Sequence, residues 1–77
     1  MSKAAGIVLR QVAVAIERRD WKSLTPLLHP YLHWTRSDGR IIRGRNKVLA
    51  YLAVTAVEPR ARDREIRDGQ IYRWVEP

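Results

Sequence analysis

Asp-Gly occurs twice in this chain, within D-G-R-I-I-R at 38–43 and D-G-Q-I-Y-R at 68–73. The dipeptide between strand-like runs is a strong hairpin signal, because a tight two-residue turn needs positive φ and these residues tolerate it. Tyr31 to Ser37 alternates ahead of the first turn and carries Tyr, Trp and Thr, which suit a pleated strand. Arg40–Arg43 returns from it, and Arg62–Arg67 and Gln70–Val75 flank the second turn. Four strands in two hairpins follow. The flanking segments do not match, so the echo is shared turn chemistry and not duplication.

Helical patterning occupies the rest. Ala5, Val8, Leu9, Val12, Ala15 and Ile16 form one stripe of a helix from Ser2 to Arg18, with Ser2 as its cap and Val14 off the stripe. Asp20 caps a second segment carrying Trp21, Leu24, Leu27 and Leu28, in which Thr25 serves as a further cap so that Pro26 falls at a first helical position. Pro30 closes that segment. Asn46 caps a helix over Lys47–Ala56 with Val48, Leu49, Leu52 and Ala56 inward. The order is α-α-β-β-α-β-β, read as one α+β domain over residues 1–77.

A 77-residue chain has a marginal core and, without cysteine, no disulfide or thiolate site to reinforce it. Association is then a natural source of stability, and a homodimer is expected. No apolar run is long enough for a membrane helix and no signal-peptide pattern opens the chain, so a cytoplasmic location is expected. The net charge is +7, and only three of the 15 basic residues are lysine. Nucleic acid would suit that charge, yet the arginines are scattered among acids and no groove-reading motif appears. Arginine-rich, lysine-poor usage also fits a GC-rich bacterial genome. A nucleic-acid adaptor is therefore the weaker alternative.

The helix leading into D-W-K-S-L-T-P-L-L-H-P at 20–30, the strand with Trp34, G-R-N-K-V-L-A-Y-L at 44–52 and the closing R-D-G-Q-I-Y-R-W together resemble the nuclear transport factor 2-like superfamily, especially its SnoaL-like, polyketide-cyclase-like branch. The resemblance covers nearly the whole chain. It implies the cystatin-like arrangement, a curved antiparallel sheet packed on three helices, often dimeric, with a pocket between sheet and helices. Family members are longer, so a truncated sheet and a reduced pocket are implied. Some members are enzymes, and the ketosteroid isomerases among them use a carboxylate base and an oxyanion site. The resemblance puts the base position at Arg36 and the oxyanion tyrosine at Val12. A guanidinium has no free base form at physiological pH. Isomerase chemistry of that type is not expected; a SnoaL-like cyclase, isomerase or hydrolase is kept as an alternative.

No other catalytic set emerges. His29 and His33 have i, i+4 spacing, but Pro30 interrupts any helix between them, so no metal site is expected. Asp38 and Asp68 are turn residues, no G-x-S-x-G elbow or phosphate-binding glycine loop occurs, and no cofactor is implied. Strand parity with a two-residue turn puts Leu32, Trp34 and Arg36 on one face, with Ile41 and Arg43 on that same face. Trp34 is then either plain core or the floor of a small pocket with Arg36 at its mouth and Val12 and Tyr51 beside it. Such a pocket would take a small apolar, aromatic or anionic ligand.

In the second hairpin a two-residue turn makes Ile66 oppose Ile71, Arg64 oppose Arg73 and Arg62 oppose Val75, with Glu65–Tyr72 and Asp63–Trp74 on the other face. Both faces carry apolar bulk, so Arg64, Tyr72, Arg73 and Trp74 are expected at an interface with a second chain or partner protein. Arg64 across from Arg73 is a like-charge pair, unfavourable unless Asp63 or Glu76 offsets it.

Overall fold

The computed structural model describes residues 3–77, with side chains from residue 6 onward. Helix α1 (Lys3–Arg18) buries Val12, Ala15 and Ile16, the middle and end of the expected stripe. The expected Ser2 cap and the inward side chain of Ala5 lie outside the described residues. Two bonds close the helix: Arg19 N–H donates to Ile16 O (3.1 Å) and Asp20 N–H to Ala15 O (2.9 Å), with Arg19 at φ 54°. This is a Schellman ending with an arginine where glycine is usual. Arg19 is held there by donating from Nη2 to Ala53 O at 2.6 Å and by lying 5.1 Å from the Trp21 ring centre.

Asp20 also starts the next element. Its carboxylate accepts from Ser23 N–H (3.2 Å) and Ser23 Oγ–H (2.7 Å), capping α2 (Trp21–Leu24). A 3-10 turn, Thr25–Leu27, accommodates Pro26 in its opening residues. Thr25 does not cap it; its hydroxyl donates to Trp21 O at 2.7 Å. Strand β1 (Leu28–Thr35) begins earlier than expected and runs through Pro30. Strand β2 (Ile41–Arg43), helix α3 (Arg45–Val54), β3 (Asp63–Arg67) and β4 (Gln70–Val75) complete the expected order. Helix α3 is shifted towards the N-terminus: Gly44, at φ 96°, is the capping residue in place of Asn46, and Ala56 falls beyond the helix.

The strands form one curved, unclosed sheet in the order β2-β1-β4-β3, with the helices on one face. Both hairpins are antiparallel, but the central pair β1–β4 is parallel, so the sheet is mixed where a wholly antiparallel one was expected. The crossover through β2, α3 and β3 accounts for this, since it brings the two hairpins together through their inner strands. The core is Val12, Ala15, Ile16, Leu24, Leu28, Leu32, Trp34, Val48, Leu52, Ile71 and Trp74.

Both expected registers are corrected, each for a packing reason. In the first hairpin Arg36 N–H donates to Arg40 O (2.7 Å) and Gly39 N–H to Arg36 O (2.9 Å), closing a loop of Ser37, Asp38 and Gly39. The extra loop residue pairs Trp34 with Ile42. Ile42 therefore packs on the core while Ile41 and Arg43 are exposed, the reverse of the expected face. A one-residue slip inverts a strand, and this one keeps a guanidinium out of the apolar layer.

The second hairpin keeps the two-residue turn, with Asp68 at φ 53° and Gly69 at φ 74°, and Ile66 opposite Ile71. The register then shifts so that Glu65 pairs with Arg73, Arg64 with Trp74 and Asp63 with Val75. Tyr72 is the extra residue of a β-bulge. Strict alternation would send Ile71 and Trp74, three apart, to opposite faces; the bulge lets both reach the core. It also removes the Arg64–Arg73 clash. Arg73 Nη2 lies 3.0 Å from Asp63 Oδ2, and Nε lies 3.8 Å from Glu65 Oε1.

Candidate binding site

Thr35 O, at the end of β1, accepts the Glu76 N–H at 2.9 Å and so holds the chain after β4 alongside β1. The Glu76 carboxylate is thereby brought to two donors from distant elements. Its Oε2 accepts the Trp34 indole N–H (2.7 Å) and the Tyr51 hydroxyl from α3 (2.6 Å). Arg36 lies 5.2 Å from the Tyr51 ring centre, and its Nη2 is 3.6 Å from Asp38. Burial and the Glu76 carboxylate push the Tyr51 hydroxyl up to about 12, partly opposed by Arg36. Tyr51 therefore keeps its proton and acts as a hydrogen-bond donor, a poor general acid at neutral pH.

Of the four residues expected to hold a ligand, Trp34 and Tyr51 thus meet at Glu76, and Arg36 lies against Tyr51. Val12, the fourth, is fully buried in the helix layer. Trp34 is fully buried too, stacked on Trp74 with ring centres 5.1 Å apart and planes 10° from parallel. The core reading of Trp34 holds, with its polar edge satisfied by Glu76. Sequence reasoning missed this role for Glu76, which had been considered only as an offset for the hairpin arginines. No local motif could have revealed it, because the contact with Trp34 spans 42 residues.

The residues expected at an interface divide between the two faces of the sheet. Trp74 is a core residue, 1% exposed, which corrects its assignment to an interface. Arg64, its cross-strand partner, shares its side of the sheet. Tyr72 and Arg73 belong to the outer face. There Tyr72 meets His29 (5.0 Å) and His33 (5.6 Å) edge-on, and Arg67 lies 4.1 Å from its ring centre. The two histidines thus flank an aromatic ring, and His29 Nδ1 accepts the Tyr31 N–H at 3.1 Å. Among the described residues no group of three His, Cys, Asp or Glu could hold a metal ion. Tyr31 is 74% exposed and Ile41 53% exposed, and a cleft of about 390 Å³ lies among Tyr31, His33, Arg43, Gly44 and Tyr72.

A second cleft, about 290 Å³, lies at the β3 edge between Leu9, Pro59, Arg60, Ala61, Arg64 and Trp74. A third, about 440 Å³, runs along α1 past Arg10, Val14 and Arg18 to Asp20 and Leu27. None of these three is lined by Trp34, Arg36, Val12 or Tyr51.

No family model matches this sequence, and no curated protein matches it. A solved structure does: a "putative ketosteroid isomerase" from Kribbella flavida DSM 17836 superposes with a TM-score of 0.80. It is 16% identical, and the match covers 99% of this chain and 81% of that one. The fold is nuclear transport factor 2-like. At that identity the likeness speaks for architecture alone. Among the described residues no helix is long and apolar enough to cross a membrane.

Proposed function

We propose that this chain is a cytoplasmic, non-catalytic binding domain of the SnoaL-like type that works as a homodimer through the outer face of its sheet. The observation that carries the reading is that face itself. Opposite the helix-covered side Tyr31 and Ile41 are exposed, beside a half-buried cluster in which Tyr72 packs against His29, His33 and Arg67. On a chain this small, an aromatic sheet face is suited to association.

The non-catalytic part rests on the acids. Asp20 caps α2, Asp38 and Asp68 shape turns, Glu58, Asp63 and Glu65 pair with arginines, and Glu76 holds Trp34 and Tyr51, which leaves only Glu17, exposed on α1, without such a role. The isomerase description of the Kribbella flavida protein is not carried over, because the resemblance places Arg36 where a base would stand.

Light scattering tests the assembly. The expected mass is twice the 9.0 kDa of the chain, falling to one chain in Tyr72→Asp with the helical circular dichroism retained. A folded monomer at about 100 μM, a concentration far above typical dimer dissociation constants, overturns the homodimer.

A further inference from the structure

The two stacked tryptophans differ in one respect. Trp34 gives its indole N–H to Glu76, whereas the Trp74 Nε1 is buried with no acceptor. A buried unpaired donor forfeits its hydration without replacement, so such groups call for a specific explanation. Trp74 lines the cleft at the β3 edge. The walls are apolar at Leu9, Pro59 and Ala61, and two guanidinium-bearing residues, Arg60 and Arg64, complete it. Arg60 contacts Glu58 at 3.3 Å on the exposed surface, whereas no ion pair engages Arg64 among the described residues.

We propose that this cleft binds a small monocarboxylate with an apolar body, such as an aromatic or medium-chain aliphatic acid. The Trp74 Nε1 is closed to solvent in the free chain, so binding would part the cleft walls enough for the carboxylate to accept from the indole and pair with Arg64, with the hydrocarbon part against Leu9, Pro59 and Ala61. Each feature selects something different. The orphan N–H requires an acceptor, the arginine requires an anion, and the apolar walls disfavour a bare inorganic ion. The cleft, of about 290 Å³, has room for a small molecule. This deepens the binding-domain reading by naming a ligand class. It lies on the opposite side of the sheet from the dimer face, so either can fail without the other.

The test uses the full chain and proton–nitrogen correlation spectra of its three indole N–H groups, those of Trp21, Trp34 and Trp74. Trp74→Phe assigns the Trp74 signal by its disappearance. Benzoate, phenylacetate and hexanoate are titrated against benzamide and hexanamide. The acids are expected to move the Trp74 signal downfield saturably, leaving Trp21 in place, and the amides to move it far less. Arg64→Gln is expected to weaken the acids by about tenfold, as loss of a charge-assisted bond does, with Arg64→Lys intermediate. The proposal is overturned if the Trp74 signal stays fixed up to about 10 mM acid, which exceeds any useful affinity. It is equally overturned if amides bind as well as acids, or if Arg64→Gln binds unchanged. Light scattering on the same samples reports the dimer separately.

Discussion

The two hairpins carry the same Asp-Gly dipeptide and resolve it differently. At 68–69 both residues adopt positive φ and form a two-residue turn. At 38–39 only Gly39 does, within a three-residue loop in which Asp38 accepts the Arg40 N–H at 3.0 Å. The second hairpin makes its adjustment later, in the bulge at Tyr72. Both place a large apolar residue on the helix side while keeping an arginine off it, Ile42 over Arg43 in one and Trp74 over Arg73 in the other. The dipeptide nominates a turn; the apolar layer decides where the extra residue goes.

The largest expected effect concerns the side chain on which the hairpins meet. Trp34→Ala should cost about 3–5 kcal/mol in denaturant unfolding, as truncating a packed aromatic does. A loss below 1 kcal/mol would mean the stack is not core. Next comes the register of the first hairpin. Compared in the Tyr72→Asp background, where the dimer face does not contribute, Ile42→Asp should cost about 2–3 kcal/mol by burying a carboxylate, whereas Ile41→Asp should stay within about 0.5 kcal/mol. Equal costs would restore the two-residue loop.

The stacked pair then separates by its polar edges. Trp34→Phe should cost about 1–2 kcal/mol more than Trp74→Phe, since only the former abandons a bond to a carboxylate. The turns give a smaller contrast. Asp68→Gly should be neutral or slightly stabilising, because it relieves a left-handed non-glycine residue. Asp38→Gly should lose about 1 kcal/mol with its bond to Arg40.

The smallest effect is in pH. The folded Tyr51 holds its proton more tightly than an unfolded tyrosine does. Its contribution is therefore complete below about pH 10, the unfolded value, and fades as pH rises towards 12. Tyr51→Phe should flatten that part of the stability profile.

Element order and most of the core were legible because helix stripes and turn chemistry are local signals. Val12, Ile16, Leu24, Val48 and Leu52 are buried where the 3.6-residue period puts them. Registers were not legible from alternation alone, although Ile71 and Trp74, three apart in one strand, were a readable sign of a bulge. At the candidate site strand parity put Trp34 and Arg36 on one face, whereas Val12, expected beside them with Tyr51, is buried in the helix layer. Glu76 was not legible, because its position depends on the parallel pairing of strands far apart in the chain.

Strand β3 is an edge of the sheet, and four of its five residues, Asp63, Arg64, Glu65 and Arg67, are charged. A further strand aligning there would have to match alternating signs along its whole length or leave charges facing like charges. At the opposite edge β2 is only three residues long and offers little backbone to copy. Neither border is a good template for open-ended growth. In the proposed dimer, self-association would then stop at a closed pair joined face to face and would not run on into fibres.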